Sequence, residues 1–183
     1  MAAAASARRT PNSQENLLRE AAREGREKDV IELLTQNVSP DCPTCESSAL
    51  DMALITLNSP ASRKGLEDSI ERIMGILLKN KANPNLPGRS GQYPLQRAVL
   101  LHNEAKKGEN EERARRIVKL LLEHQADPLQ KIREGQTIVD LVKDQTIKVL
   151  LLEKKVEQQE AAIRRLREAP PVVASAGCFS WRC

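Results

Sequence analysis

The sequence predicts an all-α fold: helix pairs joined by short hairpin-like loops and finished by one extended C-terminal helix. Three observations carry that expectation. Of the 183 residues, 40% are apolar, with a single Phe, Trp and Tyr, and this aliphatic composition suits stacked helices better than a β-sandwich. The apolar residues cluster at helical spacing, as in Leu17, Leu18, Ala21 and Ala22. The same punctuation also returns at a fixed interval. Leu33-Leu34, Leu77-Leu78 and Leu121-Leu122 are 44 residues apart, as are Pro40, Pro84 and Pro128. A fixed period of this kind marks stacked copies of one unit.

Taken in order, residues 1–13 are Ala-rich and then basic, and read as a disordered N-terminus. The string around Thr10 resembles a phosphorylation site but is short enough to arise by chance. Ser13 opens a first helix that Gly25 ends. Asp29 opens a second, carrying Val30, Ile31, Leu33 and Leu34. Ser39, Asn83 and Asp127 precede the three recurring prolines, and each can bond the turn backbone with a short side chain. After each loop a short motif starts the next pair: SALDMAL at 48–54, YPLQRAV at 93–99 and TIVDLVK at 137–143. Between the units, Asn83-Pro84-Asn85, Pro87-Gly88 and Ser90-Gly91 read as a tight hairpin-like loop.

These motifs carry a resemblance. GQYPLQRAV, IVKLLLEHQADP, KANPN and GQTIVDLVK fall in register with G-x-T-P-L-H-x-A-A, V-x-x-L-L and G-A-D-P-N, so the chain resembles the ankyrin-repeat family. LLREAAREGREKDVIELL matches the two-helix portion of a first repeat. The resemblance implies an ankyrin-type helical repeat solenoid over residues 14–152, with units 14–41, 42–85, 86–129 and 130–152. There are departures. The family's His is replaced by Asp51, Gln96 and Asp140, and the period of 44 exceeds the usual ~33. Two polar insertions account for the excess, Asn58 to Asp68 and Glu104 to Arg113, and stacking would set them side by side as tolerated loops or as a second binding edge. A HEAT-like array is the alternative with a period in the forties.

In that family the loop tips and the inner-helix ends contact a protein partner. Carried over by motif, these positions are Arg23 and Glu24; Thr44, Cys45, Ile55 and Thr56; Arg89, Ser90, Gln92, Leu100 and Leu101; and Arg133, Glu134, Gln136, Asp144 and Gln145. Ile55, Leu100 and Leu101 would form an apolar interface centre within a polar rim, unless the longer helices bury them. The resemblance therefore implies a non-enzymatic interaction adaptor, without cofactor or metal. No phosphate-binding Gly loop or nucleophile, base and acid set occurs in the sequence. His124 falls at a helix end, where the dipole favours a cation, and His102 reads as a surface contact.

Past residue 152 the chain continues as a helix to about 169. Val149, Leu152, Val156, Gln159, Ile163 and Leu166 follow heptad spacing. In a parallel pair, Lys148 would face Glu153 and Lys155 would face Glu160, so residues 149–166 could form a homodimer, or else pack on or extend the stack. Pro170 and Pro171 stop the helix, and 170–183 reads as a disordered tail with Cys178, Cys183, Phe179 and Trp181. A membrane-peripheral regulator anchored by a lipidated tail is the second functional reading, although Ser180 stands where a prenylation box needs Cys. Charged residues form 30% of the chain with a net charge of +4, a mixed-sign surface that disfavours nucleic acid. Arg164, Arg165 and Arg167 are offset by Glu153, Glu157, Glu160 and Glu168. The expected setting is cytoplasmic, extending to the nucleus, with reduced thiols, and Cys42 and Cys45 are incidental loop cysteines in this reading.

Overall fold

Leu-rich segments of 9 to 15 residues, broken by Gly or Pro, give helices too short to stand alone, so their stability rests on packing one against another. In the computed structural model the described residues are 13–42, 47–57, 65–105, 108–132 and 135–168, without the side chains of Ser13, Glu109, Ala162 and Leu166. They form seven α-helices: α1 (Ser13–Glu24), α2 (Glu27–Thr35), α3 (Ala49–Leu57), α4 (Leu66–Lys79), α5 (Pro94–Glu104), α6 (Glu109–Glu123) and α7 (Gln145–Glu168). A 3₁₀ helix, Ile138–Leu141, precedes α7. Among the described residues there is no strand, only an isolated bridge between Lys131 and Thr137.

Contacts arrange these elements in two rows. α1, α3, α5 and the 3₁₀ helix touch in that order, as do α2, α4, α6 and α7 in the second row. Each of the first three helix pairs, α1 with α2, α3 with α4, and α5 with α6, also packs within itself. One buried cluster joins Leu18, Ala22, Val30, Ala49, Ile73 and Leu77. A larger one runs from Leu50 and Leu54 through Ile70, Leu95, Ile117 and Leu121 to Ile138, Ile147 and Leu151.

The ends of α2, α4 and α6 share one geometry. Asn37, Lys81 and Gln125 have φ of 61°, 66° and 68°. Behind them, the N–H groups of Val38, Ala82 and Ala126 donate to the carbonyls of Leu33, Leu77 and Leu121 at 3.2, 3.0 and 3.0 Å. The N–H groups of Asn37, Lys81 and Gln125 donate to Leu34, Leu78 and Leu122. This is a Schellman closure built three times on the Leu-Leu pairs, with the buried Val38, Ala82 and Ala126 supplying the accompanying apolar contact.

Beyond the closures, Asn83 Oδ1 accepts from Asn85 N and Asp127 Oδ1 from Leu129 N, at 2.9 and 3.0 Å. Neighbouring turns are stitched together: both oxygens of Asp41 accept from Asn83 N, and Asn85 Oδ1 accepts from Asp127 N. The hairpin-like loop recurs as well, with Gly88 N donating to Gln92 O and Ile132 N to Gln136 O, both at 2.9 Å.

Two expectations need correction. TIVDLVK does not open a helix pair but makes a 3₁₀ helix of four residues, where β-branched Thr137, Ile138 and Val139 disfavour a longer helix. The Glu104 to Arg113 insertion is mostly helix, since α5 runs to Glu104 and α6 starts at Glu109. The last unit runs straight on into the C-terminal helix, α7 being continuous from Gln145 to Glu168. Residues 1–12 and the tail from 169 onward lie outside the described residues.

Leu121 is fully buried in the larger cluster and Leu129 is 39% exposed. Leu121→Ala should therefore cost about 2–5 kcal/mol in chemical denaturation, while Leu129→Ala should change stability by no more than about 0.5 kcal/mol.

Candidate functional site

The surface expected to bind a partner consists of inner-row helix ends and loop tips. Arg23 and Glu24 end α1 and are exposed. Glu24 pairs with Arg26 at 2.8 Å. Thr56, half-buried at the end of α3, has its hydroxyl 3.1 Å from both Arg23 O and Met52 O of its own helix, so the ends of α1 and α3 lie together. Thr44 and Cys45 lie outside the described residues, as do Arg133 and Glu134. In the central loop Arg89 and Ser90 are exposed and Gln92 is half-buried. Arg89 N donates to Ser47 Oγ at 3.3 Å, and Ser90 Oγ accepts from Arg97 Nη2 at 2.7 Å. Gln136 and Gln145 are exposed and Asp144 is half-buried.

Ile55, Leu100 and Leu101 do not form an exposed apolar centre. All three are half-buried, and Leu101, like Leu141 and Val142, packs against the main core. A strap also crosses this end of α5. Asn103 Nδ2 donates to Leu141 O at 2.8 Å, and Asn103 Oδ1 accepts from Lys143 N at 3.3 Å. What remains exposed along these positions is polar: Arg23, Glu24, Arg89, Ser90, Gln136 and Gln145.

The three residues in place of the family's His behave in two ways. Gln96 Oε1 accepts from Tyr93 N and Asp140 Oδ2 from Thr137 N, so each closes its own helix start locally. The Thr137 amide and hydroxyl hold the Asp140 carboxyl below its usual range. Asp51 differs, being fully buried, with Oδ1 2.8 Å from Arg97 Nε. That approach is too oblique for a straight hydrogen bond. Gly88 makes room for the carboxylate, since a Cβ there would lie 2.1 Å from Asp51 Oδ2. Arg97 in turn reaches Ser90, so the buried pair anchors the central loop from beneath.

On the second row, ion pairs cross from helix to helix. Arg72 meets Glu27 at 2.9 Å, Arg113 meets Glu67 at 2.7 Å and Asp68 at 3.2 Å, and Arg116 grips Glu71 through Nε and Nη2. Arg113 thus links residues of the two insertions. Burial raises the Asp41 carboxyl above its usual range, partly opposed by the Asn83 amide. Asp144 is lowered, chiefly by the Thr146 amide, with His102 and Arg115 contributing.

Other features surround these positions. His102 is buried rather than a surface contact. His124 occupies the C-cap of α6. Cys42 is disulfide-bonded rather than a reduced thiol, with its partner outside the described residues. Val149, Leu152, Val156 and Ile163 are each 45–52% exposed on α7, while Ile147 and Leu151 are buried. A groove of about 490 Å³ between α6 and α7 is bordered by Arg115, Lys119, Gln145 and Val149. Among the described residues no helix is long and apolar enough to cross a membrane. Comparison with protein-family models finds no match, and comparison with curated proteins finds none either.

The buried pair makes a stability test. Arg97→Met strands the Asp51 charge in the core and should cost about 3–5 kcal/mol by urea denaturation. Asp51→Asn combined with Arg97→Met, which removes the stranded charge in a side chain of the same shape, should recover most of that loss.

Proposed function

We propose that this chain is a non-enzymatic protein-interaction adaptor, built as an ankyrin-type solenoid and acting in the cytoplasm or nucleus. The observation that carries the reading is the recurrence of one turn-and-loop geometry at 44-residue intervals while the exposed side chains vary. Asn37, Lys81 and Gln125 share a backbone conformation, and the loops at Gly88 to Gln92 and Ile132 to Gln136 share a hydrogen bond. A stack with fixed backbone and variable tips presents a pre-ordered surface, and pre-ordering lowers the entropy lost on binding. Arg23, Arg89, Ser90, Gln136 and Gln145 are the contacts that this reading assigns. Leu101 is not among them because it packs on the core.

A second reading, compatible with the first, is favoured by the outward stripe of α7. Val149, Leu152, Val156 and Ile163 sit at a and d spacing on the side away from Ile147, Leu151 and the Lys155–Asp127 pair. A second copy of the chain would cover them in a parallel pair. Lys148 would then face Glu153 of the other copy, whereas Lys155 is held at 3.0 Å by Asp127 of its own chain.

Two measurements test these readings. Charge reversal by Arg23→Glu with Arg89→Glu should leave the far-ultraviolet circular dichroism unchanged and abolish recovery of the partner in affinity capture with mass spectrometry; undiminished recovery would refute the assigned surface. In sedimentation equilibrium the chain should be a dimer at micromolar concentration, and Val156→Asp with Ile163→Asp should make it monomeric. A wild-type monomer would remove the second reading.

A further inference from the structure

His102 in the last turn of α5, Glu111 in the first turn of α6 and Asp144 just before α7 converge, with one ligand atom of each within 4.8 Å of the others. We propose that these three side chains form a divalent-cation site, suited to zinc, that clamps the start of α7 to α5 and α6.

The His102 side chain is only 6% exposed, and its Nε2 has no hydrogen-bond partner. It lies 3.7 Å from Asp144 Oδ2, beyond hydrogen-bond length. A buried ring nitrogen without a partner is costly unless something else engages it. Asp144 is already oriented as a metal ligand must be. Its Oδ1 accepts from Thr146 N at 2.7 Å, which leaves Oδ2 turned toward His102. Imidazole with two carboxylates is a donor set that zinc accepts, at ~2.0–2.2 Å per ligand. Tetrahedral ligands at that radius stand roughly 3.3–3.6 Å apart, so side-chain rotation of about 1 Å closes the site.

Arg115 is the competitor. Its Nη2 donates a long hydrogen bond of 3.4 Å to Asp144 Oδ2 and lies 3.7 Å from Glu111 Oε1. Charge-assisted pairs run to about 2.7–2.9 Å, and Arg116 with Glu71 or Arg113 with Glu67 meet that standard at 2.7 Å in this same protein. The Arg115 guanidinium therefore marks a locus that favours positive charge but engages it only through long contacts. Two carboxylates face one loosely held cation, and a smaller ion with twice the charge can reach all three donors. The Arg115 side chain is 26% exposed and borders the α6–α7 groove, into which it can withdraw. The fourth coordination position is left to water, and the effect of the ion is to fix the base of α7.

The test is zinc titration of the full-length, metal-free chain by isothermal calorimetry, with the melting temperature followed in parallel and cobalt(II) as a spectroscopic probe. One equivalent should bind and raise the melting temperature. The cobalt spectrum should lack the intense charge-transfer band of thiolate ligands, which separates this site from the cysteines. His102→Gln and Glu111→Gln should each weaken binding about tenfold or more, whereas Arg115→Gln should tighten it several-fold. Glu111 is partly exposed, so its variant tests the site even if His102→Gln disturbs folding. Absence of a one-equivalent site in the wild-type chain, a thiolate band, or affinity unaffected by Glu111→Gln overturns the proposal.

Discussion

The left-handed turn that ends α2, α4 and α6 is the constraint on which the rest of the molecule depends. None of Asn37, Lys81 and Gln125 is glycine, and holding an L-residue there costs about 1–2 kcal/mol each. The conformation persists because two backbone bonds and a buried residue oppose that cost at every copy. Leu33, Leu77 and Leu121 each bury side-chain surface and accept one of those bonds. Each turn then sends the chain toward its neighbour, where Asp41 meets the Asn83 amide and Asn85 meets the Asp127 amide. A change in turn geometry would break the bridge to the next turn as well as its own closure.

From this frame the inner and outer rows gain different properties. The outer row is joined by Arg–carboxylate pairs, of which those of Arg72 and Arg116 are solvated and worth little while that of the buried Arg113 with Glu67 is not solvated. The inner row is joined through buried or half-buried groups: Asp51 with Arg97, Thr56 with Arg23, and Asn103 with residues 141–143. Arg97 connects the core to the central loop by holding Ser90 above and Asp51 below.

The spacing of Leu-Leu and of Pro made the helix pairs and their period readable, because both residue types act locally: Leu by burial, Pro by fixing φ. The left-handed residues were not readable, since Lys81 and Gln125 are not the Gly or Asn that usually signals such a turn. The shortening at Ile138–Leu141 was equally hidden, because TIVDLVK resembles the motifs that open α3 and α5, and only β-branching at 137–139 distinguished it. Whether Ile55, Leu100 and Leu101 are exposed or buried was left open by the sequence, and the strap that Asn103 makes across the end of α5 joins residues 38 and 40 positions apart, a tertiary bond no local pattern signals. His102, Glu111 and Asp144 likewise come from separate elements, and nothing in their spacing announces that they meet.

The 3₁₀ helix has a consequence for how the molecule opens. Where α1, α3 and α5 offer 12, 9 and 11 residues to the inner row, the final element offers four. Because each element touches mainly its neighbours, local opening free energy should decline toward that end, as amide hydrogen exchange reports it. The base of α7 is thus a soft joint next to a firm body. Whatever grips α7, whether ion, second chain or partner, acts at the point where the least work moves the helix.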